Sequence, residues 1–176
     1  MGTWKIDGAH SEIGFKVRHL MITTVKGKFT DFTGTLTSAD DTFHGASAVF
    51  SANVASVNTG NTDRDAHLRS ADFFNAEQFP VLSFVSKTFT PVQEKVFDVV
   101  GDLTLHGVTK EVQLRAELNG ISPGMGNGRV AGFELTGTLS RKDFGLLWNM
   151  MLETGGVAVS DEVRIDISAE LIESAA

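Results

Sequence analysis

The sequence predicts an all-β protein, an extended eight-stranded antiparallel up-and-down β-barrel with one or two short helices between the third and fourth strands. Apolar and polar residues alternate with a period of two along most of the chain. The 176 residues include 18 glycines and only 3 prolines, a composition that suits a curved sheet better than a disordered chain. Short turns that contain Gly, Asp or Pro join most of the alternating segments, and such a series forms a closed barrel or a sandwich.

Eight segments carry the alternation. They span residues 10–19, 24–37, 44–57, 81–90, 96–106, 108–118, 129–140 and 161–172. The second segment changes parity between Phe29 and Phe32, which predicts a β-bulge there. The strands run about twice the usual ~5–6 residues and follow one another in sequence order, which favours the barrel over the sandwich. Closure also removes the strand edges that would otherwise invite aggregation.

Residues 61–79 break the alternation and predict one or two short helices. Asn61 or Thr62 can cap the first helix, and acidic residues in its first turn complement the helix dipole. Pro80 then forces the preceding residue into an extended conformation and restarts the sheet. The length of the chain predicts that residues 1–176 form a single domain.

The inward-facing positions mix large and small residues, which predicts a hollow barrel. An eight-stranded barrel is just wide enough to be filled by side chains, or to hold one ligand if they are small. A single glycine such as Gly34 or Gly101 is better explained by relief of crowding where a strand bends. The combined pattern of Gly and Ala on several strands favours a cavity. Strands of about twelve residues give a tube roughly 30 Å tall, which suits a long linear hydrocarbon.

The predicted ligand-binding residues lie on the inward faces of the strands. They are Phe15, Val17, Phe50, Ala52, Phe84, Val99, Leu103, Leu114, Ala116, Phe133, Leu135, Ile165 and Ile167. Residues 146–152 lack alternation and have two interpretations. They form either a lid, in which Trp148, Met150 and Met151 contact a bound chain at the mouth, or a segment that packs over the barrel end as core.

Composition and motifs exclude several functions. The net charge of −7 opposes nucleic-acid binding through a broad basic face. The chain has no cysteine, and its five histidines lack the spacing of a metal-binding helix. No serine lies in a Gly-x-Ser-x-Gly motif, so we expect no catalytic residue, metal or cofactor. We also expect a cytoplasmic protein without a transmembrane segment, because no signal peptide or apolar run of ~20 residues is visible.

Several motifs resemble those of a known family. They are Trp4-x-Ile6-Asp7-x-x-His10-Ser11, Arg64-Asp65-x-His67-Leu68, Phe79-Pro80, Gly101-x-Leu103-Thr104-x-His106-Gly107 and Arg141-x-Asp143-Phe144-Gly145. Their order and coverage resemble the YceI-like family of bacterial polyisoprenoid-binding proteins. The resemblance implies a lipocalin-like barrel, a long-chain isoprenoid as ligand and a homodimer. Many members are periplasmic, so this chain departs from the family by lacking a visible signal peptide. It also has Ser160 where glycine is usual.

Arg64 belongs to the polar motif that is the best candidate for contact with the head group of a ligand. Arg64 and His67 share one side of the predicted helix because they are three residues apart. In one interpretation, Arg64 and Arg69 clamp the phosphate or quinone oxygen of the ligand head group. In the other, which we favour, these charges fix the helix onto the barrel rim through ion pairs.

The sequence therefore predicts a carrier of a polyisoprenoid or an isoprenoid quinone, without turnover. One alternative is an enzyme that acts on a lipid-like substrate and uses the histidines and Asp65 as acid–base groups. Another is a filled barrel that serves as a protein-interaction module.

Overall fold

The chain folds as a closed antiparallel β-barrel with one α-helix, in a computed structural model that describes residues 1–175. The strand segments are β1 (Gly2–Ile6), β2 (Glu12–His19), β3 (Thr23–Phe29), β4 (Phe32–Ser38), β5 (Ser47–Asn53), β6 (Val57–Asn58), β7 (Val81–Gln93), β8 (Val96–Leu105), β9 (Val108–Ser122), β10 (Val130–Ser140) and β11 (Val159–Glu173). The helix α1 spans Thr62–Arg69 and lies between β6 and β7.

Eight long strands form the barrel, because three of them are each interrupted once. β1 and β2 form the first, β3 and β4 the second, and β5 and β6 the third. β11 pairs with both β1 and β2, which closes the ring. The parity change between Phe29 and Phe32 is a break between β3 and β4 and not the predicted β-bulge. The predicted start of the first strand at residue 10 is wrong, because the strand already begins at Gly2 and pauses at a turn in which the His10 amide donates to the Asp7 carbonyl.

The inner face follows the predicted alternation. On β11, Ile165 and Ile167 line the interior, whereas Asp166 between them faces outward and pairs with Lys16 of β2 at 2.7 Å. On β9, Leu114 and Ala116 line the interior in the same way. A period of two therefore places one face of every long strand in an apolar interior.

Residues 61–80 contain one helix rather than two. The side chain of Asn61 caps α1 by accepting a hydrogen bond from the Arg64 amide. The helix ends at Arg69, and residues 71–79 form turns. The Val54 amide donates to the Pro80 carbonyl, which ties the end of this segment back to the barrel before β7 begins.

No helix within residues 1–175 is long and apolar enough to cross a bilayer.

One end of the barrel, hereafter the closed end, is filled by aromatic side chains. Trp4, Phe43, Phe97 and Phe133 are all almost fully buried there, and Phe43 has no exposed surface. The Phe43 ring lies 5.5 Å from that of Trp4 and 5.2 Å from that of Phe133. Phe43 reaches this position from the loop before β5, so the predicted strand start at residue 44 is wrong by three residues.

Candidate functional site

An apolar cavity of about 720 Å³ lies between the closed end and the opposite end of the barrel. That volume falls within the ~300–1,000 Å³ typical of small-molecule sites. The alternative of a filled barrel is therefore wrong, because the aromatic packing occupies only the closed end. At the opposite end, hereafter the mouth, the β2–β3 hairpin, α1 and the loop of residues 145–158 surround the opening.

The cavity wall contains every predicted tunnel residue except Ala52. Those present are Phe15, Val17, Phe50, Phe84, Val99, Leu103, Leu114, Ala116, Phe133, Leu135, Ile165 and Ile167. Ala52 is buried but does not line the cavity. Its cross-strand partner Leu82 has the longer side chain and forms the wall there instead.

Two glycines on the inner face fit the prediction that a single glycine relieves crowding, and neither leaves empty space. A Cβ added to Gly27 would lie 2.4 Å from the Phe15 ring, and one added to Gly101 would lie 2.5 Å from the Phe84 ring. Each ring therefore lies flat over a glycine of the neighbouring strand. The space saved by the missing side chain is used by the aromatic ring, which keeps that ring against the wall and out of the barrel axis.

The polar residues of the wall are concentrated at the mouth. They are Arg18, His19, Thr59, Asp63, Arg64, His67 and Arg141, with Thr35 as the exception deeper in the barrel. A ligand in this cavity would therefore meet apolar side chains along its length and charged groups at one end only. That distribution matches an amphipathic linear molecule with its head group at the mouth.

Arg64 lines the mouth and also fixes the helix, but it does so through hydrogen bonds to Thr59 and not through the predicted ion pairs. Its Nε donates to the Thr59 hydroxyl at 2.7 Å and its Nη2 donates to the Thr59 carbonyl at 2.8 Å. The neighbouring Asp65 is buried and accepts from the amide and hydroxyl of the same threonine. These bonds anchor α1 through Thr59, and they leave Nη1 of Arg64 without a partner within residues 1–175. Arg69 does not line the cavity.

Trp148 lies where the loop of residues 145–158 meets the helix segment. Its ring packs against His67 at 4.8 Å and Phe73 at 5.2 Å, and all three line the cavity. Met151 does not line it. Its side chain is 80% exposed, and its backbone forms a bridge to Val157. Met150, which the lid interpretation also includes, lines the mouth.

The two interpretations of residues 146–152 each describe part of this loop. Leu146 is buried and belongs to the core cluster beneath the mouth. Trp148 and Met150 face the cavity, and Leu147 and Met151 are exposed. The loop is therefore neither wholly core nor wholly lid.

Arg141 holds this loop in place and was given no role from the sequence. It is 3% exposed, and it donates to the carbonyls of Leu146 at 2.6 Å, Trp148 at 2.8 Å and Ser160 at 2.9 Å. Burial lowers the pKa of its guanidinium, and the nearby Asp161 partly opposes that shift. The family motif that begins at Arg141 was the only signal that could have identified it.

Asp7, His10 and Glu170 form a cluster on the outside of the barrel whose ligand atoms lie within 4.8 Å of one another. His10 Nδ1 is 2.8 Å from Asp7 and 3.7 Å from Glu170. The hydrogen bond between His10 and Asp7 raises the pKa of the imidazole and lowers that of the Asp7 carboxyl. Ion pairing accounts for this arrangement, which lies away from the cavity wall.

Comparisons with known proteins agree with this architecture. The family described as the YceI-like domain matches residues 4–171. A UPF0312 protein of Staphylococcus aureus strain MSSA476 is 38% identical over 171 residues, which are 97% of each chain. The crystal structure of the Campylobacter jejuni YCEI protein is 31% identical, superposes with a TM-score of 0.76 and covers 96% of both chains.

A more distant structure shares the fold alone. It is a polyisoprenoid binding domain from Saccharophagus degradans, which is 18% identical and superposes with a TM-score of 0.67. The match covers 97% of this chain and 98% of that domain.

Proposed function

This chain belongs to the YceI-like family, and from that premise we propose that it binds and carries a polyisoprenoid or an isoprenoid quinone in its barrel, without turnover. The proposal rests on the shape and lining of the cavity. It is closed at one end, its wall is apolar, and its polar groups are concentrated at the mouth. The Saccharophagus degradans domain is named for polyisoprenoid binding, which supports the same ligand class.

The physical chemistry of the cavity favours a long chain over a small polar ligand. Each CH₂ group moved from water into such a site gains ~0.8 kcal/mol, so ten methylenes suffice for tight binding. A polar head group buried without a partner would cost ~1–3 kcal/mol. The head group is therefore stable only at the mouth, where Arg18 and the free Nη1 of Arg64 can donate to a phosphate or quinone oxygen.

One group that the enzyme alternative needs is already engaged. Asp65 is buried and accepts two hydrogen bonds from Thr59, so its carboxylate is held away from a proton that it could transfer. This supports binding without turnover. His67 Nε2 lies 2.9 Å from Asp72, a contact that leaves the other ring nitrogen open within residues 1–175, so His67 is the residue that a test for turnover must replace.

Native mass spectrometry of the purified protein, followed by organic extraction, tests the proposal. We expect a bound species that extraction releases and whose fragmentation shows repeated isoprene units. A saturated fatty acid as the only extract would contradict the ligand class. Empty protein that also fails to bind added geranylgeraniol would contradict the carrier function.

A time course separates the carrier from the enzyme. We expect added isoprenoid to be recovered unchanged after prolonged incubation with the protein. Consumption of the lipid that stops in the His67→Ala variant would establish the enzyme instead.

A further inference from the structure

Exposed apolar side chains gather around the mouth of the cavity. They are Leu20, Met21, Ile22, Leu147, Met150 and Met151, hereafter the apolar rim. The hairpin and the loop that carry them are joined, because the Leu20 amide donates to the Ala158 carbonyl at 2.8 Å and the Ala158 amide donates to the Met150 carbonyl at 2.9 Å. Leu20 and Met150 also line the cavity, so the rim continues the cavity wall onto the surface.

The tip of the β2–β3 hairpin is built from residues that its turn does not favour. Leu20 and Met21 have φ angles of 52° and 63°, and the Ile22 amide donates to the His19 carbonyl. A two-residue turn with both φ angles positive normally takes Asn-Gly, because bulky side chains are strained there. The exposed Leu-Met-Ile sequence serves neither the turn nor solubility, which indicates that an apolar environment covers the tip.

The charge of the same hairpin indicates what that environment is, because the hairpin carries four cations against the carboxylates of Glu153 in the rim loop and Asp63 at the mouth. Residues 13–30 contain Lys16, Arg18, Lys26 and Lys28 and no carboxylate, in a chain with a net charge of −7. Lys16 pairs with Asp166, and the other three have no acidic partner within 4.0 Å among residues 1–175. An apolar tip above a cationic stem complements an anionic bilayer, whose phosphates attract the cations while the tip enters the acyl boundary.

A second copy of the chain is a poorer partner for this surface. A twofold interface brings the same patch together on both subunits. The cations of one hairpin would then face those of the other, which is unfavourable.

We propose that the apolar rim docks on an anionic lipid bilayer with the mouth facing the membrane, so that the ligand passes between bilayer and cavity without crossing water. The identity of the ligand in this proposal rests on the proposed function. The docking itself is measured without ligand, so the docking and the carrier function can be tested separately.

Co-sedimentation with vesicles tests the docking. The vesicles contain equal parts of phosphatidylcholine and phosphatidylglycerol, with pure phosphatidylcholine vesicles as the comparison. Ile22 is 76% exposed and does not line the cavity, so Ile22→Asp removes apolar contact without touching the ligand site. We expect it to weaken binding to the anionic vesicles at least about tenfold.

Met125 provides the matched control. It is fully exposed in the β9–β10 hairpin at the closed end, and we expect Met125→Asp to bind as the unchanged protein does. Lys26→Gln removes one cation, and we expect it to weaken binding about fivefold. Added salt should weaken the binding of the unchanged protein and reduce this difference.

Three results would overturn the docking. They are equal binding to both kinds of vesicle, equal loss in Ile22→Asp and Met125→Asp, and a dimer in light scattering that Ile22→Asp dissociates, which would identify a second copy as the partner.

A separate titration distinguishes failure of the docking from failure of the proposed function. Farnesol is added without vesicles, and its binding is followed through the fluorescence of Trp148. We expect Ile22→Asp to bind farnesol as well as the unchanged protein does. Vesicle binding with no isoprenoid uptake would support the docking and overturn the carrier function. Isoprenoid uptake with no vesicle binding would support the carrier function and overturn the docking.

Discussion

The two tryptophans of the chain lie at opposite ends of the barrel and have different surroundings. Trp4 is 1% exposed at the closed end, with Phe43 against its ring and the Arg129 guanidinium 5.4 Å from its centroid. Trp148 is half-buried at the mouth and forms part of the cavity wall. The ring at the closed end is surrounded by protein, whereas the ring at the mouth has one side available to a ligand.

Arginines at the two ends also differ, although Arg141 at the mouth is engaged by backbone carbonyls. At the closed end, Arg129 donates to Glu173 and Asp41 through four hydrogen bonds. At the mouth, Arg18 and Arg64 line the cavity without a carboxylate partner within residues 1–175. Saturated contacts stabilise the fold, and unsaturated ones remain available for recognition, so ligand entry is expected at the mouth alone.

Replacing each tryptophan by alanine is the strongest test of this contrast. Trp4→Ala leaves a cavity in a fully packed cluster, and we expect it to lower the free energy of unfolding by about 3–5 kcal/mol. Trp148→Ala removes a ring that is only partly buried, and we expect a loss below about 2 kcal/mol. Urea denaturation measures both values. Equal losses would mean that the mouth is packed as firmly as the closed end.

Filling the cavity tests whether the space between the two ends is the ligand site. Ala116 is fully buried and lines the cavity, so Ala116→Phe should cost about 1–3 kcal/mol of stability. It should also weaken isoprenoid binding at least about tenfold, because displacing two methylenes costs ~1.6 kcal/mol.

Ala52→Phe is the matched control for that variant. Ala52 is equally buried but does not line the cavity, so its replacement overpacks the core while the cavity stays open. We expect a similar loss of stability with affinity retained, measured by thermal unfolding and by titration. Unchanged uptake in a folded Ala116→Phe protein would contradict the cavity as the binding site.

The inner faces of the barrel could be predicted because they depend on local information. A period of two in polarity fixes which residues point inward, and it placed Leu114, Phe133 and Ile165 correctly. Alternation does not show which of two paired residues has the longer side chain. The sequence therefore predicts that Ala52 lines the cavity, whereas its partner Leu82 does so. The alternation is also too short to be recognised in a segment such as β1, where only Trp4 and Ile6 follow it.

The mouth could be predicted less well because it depends on contacts between distant segments. Arg141 organises the loop of residues 145–158 through backbone carbonyls, which leave no trace in the sequence pattern. That loop geometry also decides that Met150 lines the cavity and Met151 does not, although the sequence predicts contact for both.

Gly27→Ala tests how the cavity is kept open near the mouth. The added methyl group would overlap the Phe15 ring, so the ring must leave the wall and enter the cavity. We expect isoprenoid affinity to fall about fourfold, as for the loss of one buried methylene, with little change in stability. Adding Phe15→Leu to Gly27→Ala replaces the ring with a smaller side chain. We expect this double variant to recover the isoprenoid affinity of the unchanged protein. Equal affinity in all three proteins would mean that the ligand does not reach this part of the wall.

The ion cluster at the closed end predicts a smaller effect that depends on pH. Hydrogen bonds from Arg129 lower the pKa of both Glu173 and Asp41 in the folded protein. Such carboxylates add stability above their unfolded pKa of about 4, and this stability is lost as pH falls through their lowered folded values. Because all three side chains remain accessible to water, the contribution is small and is screened by salt.

Arg129→Met should therefore be less stable than the unchanged protein at neutral pH, and the difference should shrink as the medium is acidified below about pH 5. Arg18→Met is the control at the mouth, where no carboxylate lies within 4.0 Å among residues 1–175, and its difference should stay constant over the same range. Urea denaturation across that range measures both. If the Arg129→Met curve runs parallel to that of the unchanged protein, aromatic packing alone holds the closed end, and the electrostatic half of the contrast between the two ends fails.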